Sequence, residues 1–147
     1  MRLVVDASIL VAEALRKRGR ALLANPNLDL LAAAEALAET EHELRKRTAM
    51  IAAHGRLDLD MANLLLEAAL ALIHSRVGLV EPAVYASHLG EAPKRIPRDE
   101  RDAPAVALAM ALGCGIWTAD RDFFGCGVPT WTTESLLRHL ALPGDEL

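Results

Sequence analysis

Two short apolar runs stop abruptly on aspartate. Leu3-Val4-Val5 leads into Asp6, and Gly115-Ile116-Trp117-Thr118 leads into Ala119-Asp120. A continuous run of this kind marks a strand covered on both faces. Runs at residues 28–31, 77–80 and 128–131 predict three further short strands. Elsewhere the apolar spacing changes to three and four. Residues 9–17 predict a first helix with Ser8 as its cap, and Gly19 and Asn25-Pro26-Asn27 punctuate the connection that follows. Residues 34–54 predict a long helix, with Leu37, Leu44, Thr48 and Ile51 at helical spacing and Gly55 at its end. Asp58 or Asp60 caps the next helix, over residues 61–75, and the short link makes an antiparallel hairpin. A brief helix opens at Glu81-Pro82, and residues 93–99 read as a charged loop. Asp102-Ala103-Pro104 starts a helix that stops at Gly113. A last helix covers residues 133–140, and 143–147 read as a frayed tail.

Strands alternating with helices predict an α/β three-layer fold around a mostly parallel sheet of about five strands. The chain has 147 residues, enough for one domain with its own core. No internal repeat or linker divides it. Its apolar content is 52% and its aromatic content 3%, so the core is built from Leu, Val, Ile and Ala. A formal charge of −4 excludes a broadly basic, nonspecific nucleic-acid binder. Basic residues nonetheless cluster at 16–20, 45–47 and 94–101. Cys114 and Cys126 form no metal or redox motif, and a reduced pair is expected. The apolar stretch at residues 64–73 is shorter than the roughly 20 residues a membrane span needs. No signal-type leader is read at the N-terminus. A soluble, cytoplasmic protein is expected. The histidines at 42, 54, 74, 88 and 139 show no paired spacing on one helix face, which argues against zinc.

The acids carry the chemistry. Asp6, Asp102, Asp120 and Asp122 each fall where a predicted strand ends or a helix begins. In an open parallel sheet the carboxyl ends of the strands form the ligand crevice. Carboxylates gathered there repel one another and lose hydration unless a cation compensates them. Oxygen-only donors suit Mg²⁺ or Mn²⁺. The plain alternatives are an N-cap for Asp102 and turn formation for Asp120 and Asp122. Asp6 is harder to explain that way, because Ser8 already meets the capping need. The long helix offers Glu35, Glu39, Glu41 and Glu43. Helical projection places Glu41 nearest the apolar stripe of Leu37, Leu44 and Thr48, while a solvated face accounts for most of the set. Arg101 and Arg121 flank the acids, either to hold phosphates or to neutralise the pocket. Asp99 is a spare acid without an assigned role.

Four segments together resemble a PIN-domain ribonuclease of the VapC-toxin type: Leu3-Val4-Val5-Asp6-Ala7-Ser8, Leu37 to Leu44, Arg101 to Ala109, and Ile116 to Phe123. They follow one another in the family's order across nearly the whole chain. The resemblance implies a PIN-like domain over residues 1–147 and Mg²⁺- or Mn²⁺-dependent hydrolysis of RNA phosphodiester bonds. It makes Asp6, Glu39, Asp102 and Asp120 catalytic and, with Asp122, metal-ligating. Glu39 is preferred over Glu41 on the family's spacing to Leu37 and Leu44, against the helical projection. Ser8, Glu43 and Thr118 become supporting residues, and Arg101 and Arg121 substrate contacts. The resemblance further implies an antitoxin partner and a homodimer, for which the Leu/Ala-rich helix beginning at Met61 offers an apolar face. Two rivals compete with it. A haloacid-dehalogenase-like phosphatase would require a second Asp where Ser8 stands. A catalytically inactive PIN fold, acting as an RNA- or protein-binding module, has no evident reason to keep every costly acid.

Overall fold

The computed structural model describes residues 1–145. Strands β1 (Arg2–Val5), β2 (Asp29–Ala33), β3 (Val77–Val80), β4 (Gly115–Trp117) and β5 (Thr130–Trp131) form one sheet in the order β3-β2-β1-β4-β5. Every neighbouring pair is parallel. The helices are α1 (Ala7–Ala14), α2 (Lys17–Leu23), α3 (Ala34–Ala53), α4 (Leu59–Arg76), α5 (Pro82–Tyr85), α6 (Ala92–Arg95), α7 (Ala103–Leu112) and α8 (Thr133–Asp145).

Alternation along the strands sorts side chains into two cores, because successive residues point to opposite faces. Leu3, Val5, Leu30, Ala32 and Trp117 pack with Leu10 and Val11 of α1, Leu44 of α3, Ile73 of α4 and Leu136 of α8. Val4, Ala33 and Ile116 pack on the other side with Tyr85, Ala92 and the α7 residues Val106 and Leu108. Both faces are covered, which is why the strands read as unbroken apolar runs. The three-layer α/β expectation holds, and the sheet is parallel throughout.

Several boundaries differ from the sequence expectation. Helix α1 starts at Ala7, with Asp6 as its cap accepting from the Ile9 amide, so Ser8 lies inside the helix. Extended backbone at Asp6 continues β1 and turns directly into α1, leaving no room for a later cap. Gly19 does not break the chain but lies within α2. A Cβ there would collide with the Glu13 carbonyl and carboxylate, so its missing side chain lets α2 close on α1. Asp58 rather than Asp60 caps α4, accepting from the Met61 amide at 2.8 Å. The expected charged loop at 93–99 begins inside α6. Helix α8 is longer than expected, and the last two residues of the expected tail lie outside the described residues. Among the described residues no helix is long and apolar enough to cross a membrane.

Candidate active site

The sheet order puts β1 and β4 side by side at the point where chain connections diverge to opposite edges. Val5 pairs with Trp117, so Asp6 and Thr118 occupy the next rung, at the carboxyl ends of both strands. Thr118 Oγ1 donates to Asp6 Oδ2 at 2.7 Å. Ser8 Oγ donates to both Asp6 oxygens at 3.0 and 2.9 Å, and the Ile9 amide donates to Oδ1 at 3.0 Å. The carboxylate is 5% exposed and fully hydrogen-bonded. Burial raises its pKa from the ordinary value, the bonds from Thr118, Ile9 and Ser8 oppose that, and Asp120 adds repulsion.

Helix α7 leads into β4, so its first turn lies back at the carboxyl edge of the sheet. Asp102 stands at its N-cap position, yet its side chain makes no capping bond. Its Oδ2 is buried without a partner. The pKa of Asp102 is pushed up to about 7, first by burial and then by the charges of Asp99, Asp120, Asp6 and Asp122. The capping explanation for this residue therefore fails.

The turn after β4 supplies the other two acids. Thr118 Oγ1 accepts from the Asp120 amide at 3.0 Å while donating to Asp6. Asp120 Oδ1 accepts from the Asp122 amide at 2.9 Å, so Asp120 does shape a turn, as the plain reading held. Asp122 Oδ1 lies 3.4 Å from Arg98 Nη1.

The glutamates of α3 divide between two sides of the helix. Glu39 and Glu43 line a cavity with Arg101 and Pro104, and a second with Ala7 and Ser8. Glu41 faces a different cavity with His74 and Leu79 and is paired with Arg45 at 2.9 Å. The projection argument for Glu41 fails because the apolar stripe is flanked on one side by β3 and on the other by α1. His42, which the sequence offered only as one of five unpaired histidines, lines the cavity with Glu39. Arg101 is held by Asp99, Nε to Oδ1 at 3.2 Å and Nη2 to Oδ2 at 3.2 Å, which lowers the Asp99 pKa and gives that acid a role. The same Asp99 accepts from the Arg101 amide. Arg121 is exposed and, among the described residues, has no carboxylate partner.

Among the described residues, no three His, Cys, Asp or Glu side chains are grouped so that they could hold a metal ion. The chemistry of the donors nevertheless fits a hard divalent cation. Every donor is a carboxylate oxygen, one buried oxygen of Asp102 lacks any partner, and after burial the charges of neighbouring acids raise the Asp102 pKa. A cation at this edge would answer all three features.

Residues 4–141 match a family model described as the PIN domain. A comparison with curated proteins finds no match. Among solved structures, PAE2754 from Pyrobaculum aerophilum superposes with a TM-score of 0.66 at 23% identity, covering 97% of this chain and 90% of that one. VapC20 from Mycobacterium tuberculosis, described as a sarcin–ricin loop cleaving toxin, gives 0.55 at 20% identity, covering 86% and 95%. FitAcB from Neisseria gonorrhoeae gives 0.51 at 24% identity, covering 89% and 96%. At these identities the likeness is one of fold.

Proposed function

The chain belongs to the PIN-domain family, and from that premise we propose that it is a metal-dependent endoribonuclease, the toxin of a toxin–antitoxin pair. The observation that carries this reading is a buried oxygen of Asp102 left unpartnered at the sheet edge, where Asp6, Asp120 and Asp122 lie near enough for their charges to raise its pKa. Asp6, Glu39, Asp102 and Asp120 would hold the ion, with Asp122 beside them. A bound Mg²⁺ or Mn²⁺ would polarise the phosphodiester, lower the pKa of an attacking water and neutralise charge at phosphorus.

The chain's own groups do the positioning. Ser8, Thr118 and the Ile9 amide fix both oxygens of Asp6, so that carboxylate has one orientation. Thr118 couples Asp6 to the Asp120 backbone and sets the spacing of the two strands' acids. Arg121, exposed beside them, meets a substrate phosphate. Arg101 is already paired with Asp99 and offsets the charge that this acid presents to Asp102.

The family match runs through nearly the whole chain, which supports reading residues 1–147 as one domain. The description of VapC20 as a sarcin–ricin loop cleaving toxin supports RNA as the substrate class, and an antitoxin partner and a cytoplasmic setting belong to the same proposal. The exposed Leu59, Met61 and Leu64 at the start of α4 support a homodimer face. The test is cleavage of a mixed panel of labelled RNAs with Mn²⁺, with Mg²⁺ and with EDTA, for wild type and Asp120→Asn. Cutting that requires the ion and is lost in the folded variant is expected. A folded wild type that binds RNA or a protein, takes up no divalent ion and cuts nothing would make the chain a binding module instead.

A further inference from the structure

Helix α3 changes character along one face. Glu39, Glu43, Arg47, Ile51 and His54 follow one another at intervals of three to four residues, so they form a single stripe. The stripe is acidic at the candidate active site and basic at its far end. Three cavities follow it in series and share walls. The first lies between Glu39, Glu43 and Arg101, the second between Glu39, Glu43, Arg47 and the α1 residues Ser8 and Val11, and the third between Arg47, Ile51, Arg56 and Leu15. Helix α1 forms the opposite bank, since Ser8, Val11 and Leu15 recur at the same helical interval. From Glu39 to His54 the groove follows about 22 Å of helix, room for several nucleotides of extended strand.

Its charges and surfaces suit such a strand. Arg47 and Arg56 are exposed, and among the described residues neither has a carboxylate partner, whereas Arg45 is paired to Glu41, Arg18 to Glu134 and Arg98 to Asp122. Apolar side chains of Leu15, Met50 and Ile51 line the floor between the two arginines. A single strand presents exactly this alternation of anionic phosphates and apolar base faces. The basic end attracts phosphate, while the acidic end repels it until a cation is bound there.

We infer that the α1–α3 groove is an RNA-strand subsite, in which Arg47 and Arg56 grip phosphates several nucleotides away from the bond to be cut. The inference rests on the ribonuclease reading and adds to it a path and a polarity. Specificity for a sequence context on one side of the cut would be read here, because only bases on that side reach the floor.

The test is fluorescence anisotropy of a labelled twelve-nucleotide oligouridine, in EDTA and in Mg²⁺, across a salt titration. Wild type is compared with Arg47→Ala/Arg56→Ala, and with Lys94→Ala/Arg138→Ala, which removes the same charge away from the groove. Both substitution pairs lie on the surface, and thermal melts check that each variant folds. The groove variant is expected to bind about tenfold more weakly, and its log–log salt slope to shrink by about 1.4, or 0.7 for each lost contact to a single strand. The control pair should behave as wild type. An unchanged affinity in the groove variant overturns the inference, while RNA cleavage by the same wild-type preparation leaves the ribonuclease reading standing. Absence of both RNA binding and RNA cleavage in wild type overturns the two together.

Discussion

Helix α1 carries a buried carboxylate near each end, and the two are accommodated in opposite ways. Asp6, at the start, is 5% exposed, and both oxygens accept hydrogen bonds, yet its neighbours across the sheet edge are further acids. Glu13, at the other end, is 3% exposed and packs against a hydroxyl instead. Its Oε1 accepts from Thr133 Oγ1 at 3.2 Å, and Thr133 in turn accepts from the Trp117 indole at 3.1 Å. Its Oε2 has no partner, and the nearest cation is Arg16 at 3.9 Å. Glu13 thus ties α1 and α8 to the end of β4. A carboxylate kept among other carboxylates costs stability and serves a ligand; a carboxylate kept among hydroxyls and an indole serves the packing.

Substituting the two acids should separate function from stability. Asp6→Asn keeps an N-cap oxygen and the shape of the side chain, so the melting temperature should stay within a few degrees while RNA cleavage falls by at least about 10². Glu13→Ala removes the acceptor for Thr133 and leaves a cavity against Gly19. It should lose about 2–3 kcal/mol in a denaturant titration, with the cleavage rate of the remaining folded protein unchanged. Glu13→Gln, which can still accept from Thr133, should recover most of that loss. If Glu13→Gln abolished cleavage in a folded protein, the division between the two ends of α1 would be wrong.

The contrast was half legible in the sequence. Strands covered on both faces write continuous apolar runs, so β1 and β4 and the aspartates at their ends stood out. The register Val5 to Trp117 then brings those ends together without any further signal. Glu13 left no mark, because α1 is apolar on every side and a lone glutamate in it reads as exposed. Its burial depends on the absence of a side chain at Gly19, a glycine that reads as a helix stop. The face of α3 was ambiguous for a related reason. A helix packed on two flanks has no single solvent side, so projection from Leu37 and Leu44 picked Glu41, whereas Glu39 and Glu43 line the cavities beside Arg101 and Ser8. The capping roles were misassigned because Asp6 and Ser8 both qualify by residue type, and only the backbone at Asp6 decides between them.

The smallest expected effect sharpens the comparison most, because it has a sign that packing alone does not predict. Asp102 is half-buried with an orphan oxygen, and its pKa rises from 3.8 to about 7 through burial and the neighbouring acids. A carboxyl whose pKa is higher in the folded chain stabilises the fold fully below 3.8 and loses that contribution as pH climbs to about 7. In a fully enclosed site the displacement would correspond to about 4 kcal/mol, and solvent screening at this partly exposed position leaves on the order of 1–2 kcal/mol. Asp102→Asn, which does not ionise, should therefore match wild type near pH 4 and be more stable at pH 7.5 when both are held in EDTA. Thermal melts of the two proteins from pH 4 to 8 measure the difference directly and cancel the titration of groups remote from Asp102. Adding Mn²⁺ at pH 7.5 should shrink or reverse the gap, since a bound cation stabilises the ionised wild type. A gap that stays constant from pH 4 to 8 would mean that Asp102 is merely a packing residue, and that the acidic edge of the sheet carries no electrostatic tension for an ion to relieve.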